Sequence, residues 1–248
     1  MGVPRQPWAT DRSRAAMEAP NSVYVPLASR ASWAKALLLV AGLVDTIAVI
    51  TGLASYRLAD RAASGSATFD QFNVAQVRHD LVILIQMTVY LLTAAVFIRW
   101  FHRAYANLPA VGISGLRHGT SWAIGAWFVP IISLIWPKQI ADEIWRGSDP
   151  SLEPDQGRRW GEEKVPVVVG VWWLAFITSG LLVGAGWELW GGADTYADIK
   201  LAAIVEVTGN AIGVLSGALA FVVVDRTSER QQARATRVAI WQPLAAQI

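Results

Sequence analysis

Two carboxylates and two carboxamides stand where lipid would surround them. Asp45, Gln86, Glu206 and Asn210 each fall within a run of apolar residues long enough to cross a bilayer. A polar or ionisable side chain in hydrocarbon is costly, and it normally faces a cavity or a partner. The chemistry open to this set is narrow. It is either a proton or cation pathway or a closed, hydrogen-bonded core cluster. Asp45 shares its helical face with Ala41, Gly42, Ala48 and Gly52, which points it toward packed protein. Glu206, Gly209, Asn210, Gly213 and Gly217 fall on one face of another helix, opposite Ile204, Leu215, Leu219 and Val222. Gly209, Gly213 and Gly217 form a small-xxx-small ridge, a glycine zipper that would seat a neighbouring helix. Gln86 and Glu206 each lie six residues into their apolar runs, so equal depth is expected for them. Asp45 and Asn210 are then expected nearer the midplane, and the four together form an intramembrane polar seam.

Other chemistry finds little support. The absence of cysteine excludes disulfides, thiolate nucleophiles and Cys-ligated metals. His79, His102 and His118 lack metal-ligand spacing, so no metal and no cofactor is expected. Arg117–His118–Gly119 matches three letters of the histidine phosphatases, but no strand precedes it and no α/β pattern surrounds it. Phosphate loops, nucleophile elbows and HExxH are missing. The expectation is that the protein is not an enzyme.

The elements that must hold the seam are legible. Of 248 residues, 54% are hydrophobic and only 16% charged, with 13 tryptophans. Soluble domains are about a quarter charged, and Trp favours membrane interfaces. Four segments reach the ~20 residues that a span needs: 36–55, 81–98, 165–187 and 201–224. Backbone polar groups must be satisfied locally in lipid, so the fold class is all-α, a polytopic membrane helical bundle. With four spans, 17 of the 21 Lys and Arg residues fall on one side. The positive-inside rule then puts both termini in the cytoplasm, in the inner (plasma) membrane. Residues 1–31, with four prolines and four arginines, read as a flexible basic arm. The membrane domain covers 32–225 and includes a connection over 99–164; residues 226–248 form a basic tail.

That connection contains "WAIGAWFVPIISLIWP", Trp122–Pro137, which is uncharged and apolar. A helix of this length rises only ~22 Å against a ~30 Å hydrocarbon core. Pro130 interrupts it, and crossing would nearly remove the charge asymmetry. A bent, re-entrant or interfacial helix is expected, with a true fifth span as the alternative. On either side, "RWFHRAYANLP" and "KQIADEIWRGSDP" read as amphipathic helices ending before Pro109 and at Gly147, so the connection is built rather than loose. Arg99 and Arg103 share one helical face. Arg226, Arg230, Arg234 and Arg237 share another, if the last span continues as helix. These six are expected to meet anionic lipid headgroups or a partner.

The stretch "FIRWFHRAYANLPAVG", then Trp127–Phe128–Val129–Pro130, Pro137 and Glu143–Ile144–Trp145–Arg146, resembles a bacterial membrane family labelled domain of unknown function 4328. The likeness extends more loosely over about Ala75 to Val224. It implies a compact multi-helix membrane domain, often actinobacterial, and it implies no activity. The functional expectation is a scaffold or partner-binding protein that contacts the lipid bilayer and a protein partner or further copies of itself. The alternative is a small transporter or channel using the seam. A net charge of +2 gives no reason to expect a nucleic-acid partner.

Overall fold

The computed structural model describes residues 23–152 and 160–245. Most of the expected basic arm (1–22) and the last three residues of the tail lie outside the described residues. Four long helices carry the architecture: α1 (Ala28–Ala63), α2 (Phe69–Ala106), α5 (Val167–Gly191) and α6 (Tyr196–Ala245). Two short ones, α3 (Trp122–Gly125) and α4 (Trp136–Gly147), lie between α2 and α5. All four long helices are long and apolar enough to cross a membrane, and the fold is an all-α bundle. Helix α6 packs along α1 on one side and α5 on the other, while α2 packs on α1.

Each helix boundary has a local cause. A tight turn after α1 uses Gly65 at φ 76°, a left-handed conformation that glycine adopts without steric cost. Thr68 and Gln71 then close a capping box that opens α2. Pro166 precedes α5, where its missing N–H costs nothing. The bundle's surface is apolar and its interior partly polar. Leu39, Leu43, Leu84, Leu174 and Leu215 are exposed, whereas Asp45, Gln86, Glu206 and Asn210 are buried. That inversion suits a hydrocarbon solvent.

Three of the helices overshoot their apolar runs. At ~1.5 Å per residue, α6 with its 50 residues is about 75 Å long, far more than a ~30 Å hydrocarbon core requires. Its second half and the end of α2 are wrapped by residues 107–152 and 160–165 into a collar. The bundle therefore has a collar end and a loop end, where the 64–68 and 192–195 turns lie.

The Trp122–Pro137 stretch goes out and comes back. Its two ends touch: the Trp122 and Trp136 rings lie 4.6 Å apart, and the His118 ring packs, tilted, against Trp136 at 4.4 Å. A segment whose ends meet does not cross. It is also not the single bent helix expected from its sequence. One turn of α3, a reversal at Ile131 (φ 66°) and a 3-10 turn at Ile132–Leu134 replace it. Pro130 cannot supply a helical N–H, and positive φ at a β-branched residue marks a sharp turn. Phe128 and Ile131 project from its tip, 72% and 74% exposed, while Trp127 reaches back to Phe97, Phe101 and Trp173.

The arm and tail need correction. Helix α1 begins at Ala28, inside the stretch assigned to the flexible arm, and residues 23–27 are tied down. Asn107 accepts from the Val25 N–H at 3.1 Å and donates to its carbonyl at 2.9 Å, and Leu27 is buried. The tail arginines do not line up toward lipid. Arg234 is only 1% exposed and donates to the carbonyls of Val111, Asp149 and Leu152. Arg230 pairs with Asp149 and lies 4.6 Å over the Trp145 ring. Arg237 donates to the Pro150 carbonyl at 2.6 Å. Arg226, 3.6 Å from Glu229, and Arg237 are exposed, and these two still fit the headgroup expectation. The collar supplies carbonyls that a guanidinium fork can satisfy several at a time, and this draws Arg234 inward, with Arg230 half-buried beside it. Of the α2 pair, Arg99 is exposed, whereas Arg103 donates to Asn107 and to the Val23 carbonyl.

Candidate functional site

The buried face of α2 steps through His79, Val82, Gln86, Tyr90, Thr93 and Phe97 at the three- and four-residue spacing of one helix side. Polar groups occupy its loop-end half and aromatic rings its collar-end half. The polar half forms two linked clusters. In the first, Gln86 Nε2 donates to Asp45 Oδ1 at 3.1 Å and to Asn210 Oδ1 at 2.8 Å. The Tyr90 hydroxyl also donates to Asp45 Oδ1. Residues from α1, α2 and α6 are thereby joined at one depth. In the second cluster, Glu206 Oε2 lies 3.1 Å from His79 Nε2 and accepts from Trp190 Nε1 at 2.7 Å. The His79 and Trp190 rings lie against each other, tilted by 42°, with centroids 4.6 Å apart. This cluster joins α2, α5 and α6 one turn nearer the loop end.

Small residues make room for both clusters. A Cβ added to Gly213 would stand 2.8 Å from Asp45 Oδ2 and 3.1 Å from Ser179 Oγ, so that glycine is the seat of a carboxylate. A Cβ on Gly209 would meet the Val183 backbone nitrogen at 2.9 Å, and Ser179 donates to the Gly209 carbonyl at 2.9 Å. At Gly217 the nearest atom would be the Leu38 carbonyl oxygen at 3.6 Å, an ordinary contact. The three glycines of the ridge therefore serve different neighbours: α5, the Asp45 carboxylate and α1.

All four sequence-predicted seam residues are buried, but they group differently from expectation. Gln86 is level with Asp45 and Asn210, while Glu206 pairs with His79. Equal depth for Gln86 and Glu206 followed from counting into apolar runs. Counted from the observed helix starts at Phe69 and Tyr196, His79 and Glu206 are the matched pair. Sequence reading missed His79, Tyr90, Trp190 and Ser179. His79 and Trp190 lie outside the apolar runs, and Tyr90 and Ser179 read as ordinary residues of a span. The spacing of His79, Gln86 and Tyr90 on one face was the available signal.

Below Tyr90 the column ends in rings. Phe97 packs against Phe101, Trp127 and Trp172 with centroids 5.4–5.9 Å apart when Trp100 is included. Trp127 and Trp173 continue the block at 5.9 Å. Beneath it lies the collar network. Gln231 donates to the Ala104 carbonyl and Ser148, Asn107 donates to Gln231, and the Tyr105 hydroxyl donates to the buried Glu143 at 2.6 Å. Burial pushes the Asp149 carboxyl up. The hydrogen bonds from Ser151 and Arg230 outweigh it and hold the carboxyl below its ordinary range. Asn210 Nδ2 is a buried donor with no hydrogen-bond partner.

A family model described as "Domain of unknown function (DUF4328)" matches residues 63–229, a range that takes in α2, the collar, α5 and most of α6. No curated protein and no solved structure matches the chain.

Proposed function

Since the chain belongs to the DUF4328 family, whose description assigns no activity, we propose from its geometry that it is a non-enzymatic membrane scaffold. In this reading it lies in the plasma membrane with both termini cytoplasmic and presents the collar to a protein partner or to further copies of itself. One observation carries the proposal. The ionisable groups of the seam are engaged by donors from neighbouring helices, and the column runs into an aromatic block instead of continuing to the collar. Side chains used this way knit helices together, much as a buried polar network specifies one packing arrangement. The collar supports the same reading. Arg234, Gln231 and Asn107 hold it as a rigid body at the end of a long helix.

Transport remains the second reading. It is favoured by the orphan donor Asn210 Nδ2 beside Asp45, which leaves one unfilled hydrogen bond in the middle of the bundle. Proteoliposomes separate the two. A scaffold shows no proton or cation flux above that of empty vesicles, and Glu206→Gln changes nothing. Photo-crosslinkers at the exposed collar positions Glu229 and Ala233 then give discrete adducts in native membranes, and one at lipid-facing Leu43 does not. Flux in the wild type that Glu206→Gln abolishes would replace the scaffold reading with transport.

A further inference from the structure

We propose that the groove between the loop ends of α1 and α2 binds the phosphate headgroup of an anionic phospholipid, with Arg61 and Arg78 as its ligands. The groove encloses about 350 Å³ and is lined by Ala54, Leu58, Arg61, Asp70, Val74 and Arg78 among others. Its walls are apolar and its mouth is basic. Arg78 is the central observation. Its Nη2 reaches only Ser55 Oγ, at 3.4 Å, and its Nε is buried without a hydrogen-bond partner. A guanidinium carries five N–H donors and no acceptor, and leaving them unfilled away from water is costly. Among the described residues neither Arg61 nor Arg78 forms an ion pair, although Asp70 lines the same groove. Lys200, at the same end, is by contrast held by Asp60 at 2.6 Å.

Depth and shape select a lipid over a free anion. Arg78 lies three residues before Leu81, where the apolar run of α2 begins, and Arg61 lies six residues beyond Ser55, where that of α1 ends. Both stand at headgroup level. Leu58 and Val74 extend the groove with hydrocarbon that an acyl chain would cover and inorganic phosphate would not. Guanidiniums pair bidentately with phosphate oxygens, so two of them over an apolar cleft match a phosphodiester on a chain.

The test is native mass spectrometry of the full chain, released from detergent containing equal phosphatidylglycerol and phosphatidylcholine. Wild type should retain phosphatidylglycerol preferentially. Arg61→Gln and Arg78→Gln should each weaken that preference roughly fivefold, the value of one basic residue at a charged surface. Val74→Trp, which fills the groove and keeps both charges, should weaken it too. Arg117→Gln, at an exposed arginine of the collar, should leave it unchanged. Arg61 and Val74 are exposed, so their variants keep the test valid even if Arg78→Gln fails to fold. Equal retention of the two lipids by wild type would overturn the proposal, as would an unchanged preference in Arg61→Gln and Val74→Trp. Displacement of the lipid by inorganic phosphate would also overturn it, by showing a free-phosphate site.

Discussion

Alanine at each of the three ridge glycines should give three different results. A Gly→Ala change within a helix gains about 1 kcal/mol of helix propensity wherever it is made. That gain is common to Gly209→Ala and Gly217→Ala, so the difference between the two variants reads out packing alone. At Gly209 the new methyl would stand 2.9 Å from the Val183 backbone nitrogen and 3.0 Å from Leu182 Cβ, atoms that move only if α5 moves. Overpacking of that kind costs about 1–3 kcal/mol. At Gly217 the nearest atom is 3.6 Å away, and nothing has to shift. Gly217→Ala should therefore be neutral or stabilised, and Gly209→Ala should lie about 1–3 kcal/mol below it. Gly213→Ala should fall between them. Its methyl would displace the Asp45 carboxylate from two hydrogen bonds, each worth about 0.6 kcal/mol in a membrane helix bundle. SDS titration in mixed micelles, followed by tryptophan fluorescence, measures all three. If Gly217→Ala is destabilised as much as Gly209→Ala, the ridge is a uniform seam and the separate roles given to its glycines are wrong.

Arg234→Met should loosen the collar by about 3 kcal/mol or more, because three buried carbonyls lose their donor; limited proteolysis at the 148–160 segment would report it as faster cleavage. Acid should act on the same region through Asp149. Its carboxyl is held below its unfolded value, so its contribution is complete above the ordinary carboxylate range and is lost as pH falls through the lowered folded value. Thermal melts should show that acid loss in wild type and a flatter profile in Asp149→Asn. For topology, single cysteines at Ser66 and Ala193 should label with an impermeant maleimide on intact cells, while those at Ser114 and Glu162 should not. Labelling at 162 with protection at 193 would mean that Trp122–Pro137 crosses, against the contact between its ends.

The four spans were legible because hydrocarbon leaves one solution for a long uncharged run. The interior positions of Asp45 and Glu206 were legible for a related reason, since a carboxylate among small residues has little alternative to packed protein. Partner identity was not legible. His79 reaches Glu206 because α2 starts twelve residues before its apolar run, an overshoot that hydropathy does not register. The tail failed for a different reason. Four arginines on one helical face read as a lipid-facing stripe only while nothing else can cover that face. The carbonyls that bury Arg234 come from Val111, Asp149 and Leu152, loop positions with no periodic signal of their own. The reversal at Ile131 was hidden in the same way, since a β-branched residue does not advertise positive φ.

The order in which the helices leave the ribosome gives the long α6 a further consequence. Asp45 enters the bilayer on α1, when none of its partners has been made. Gln86 and Tyr90 arrive with the next helix, so an α1–α2 hairpin already shields that carboxylate while synthesis continues. Glu206 waits for nothing, because His79 and Trp190 precede it in the chain. The collar has no such early shelter. Its loops are translated ahead of Arg234, and their carbonyls stay unclaimed until the far half of α6 has emerged. A nascent chain stalled before residue 231 would thus carry a nearly finished bundle beneath an unfinished collar. That is the state in which quality-control proteases would be expected to find it.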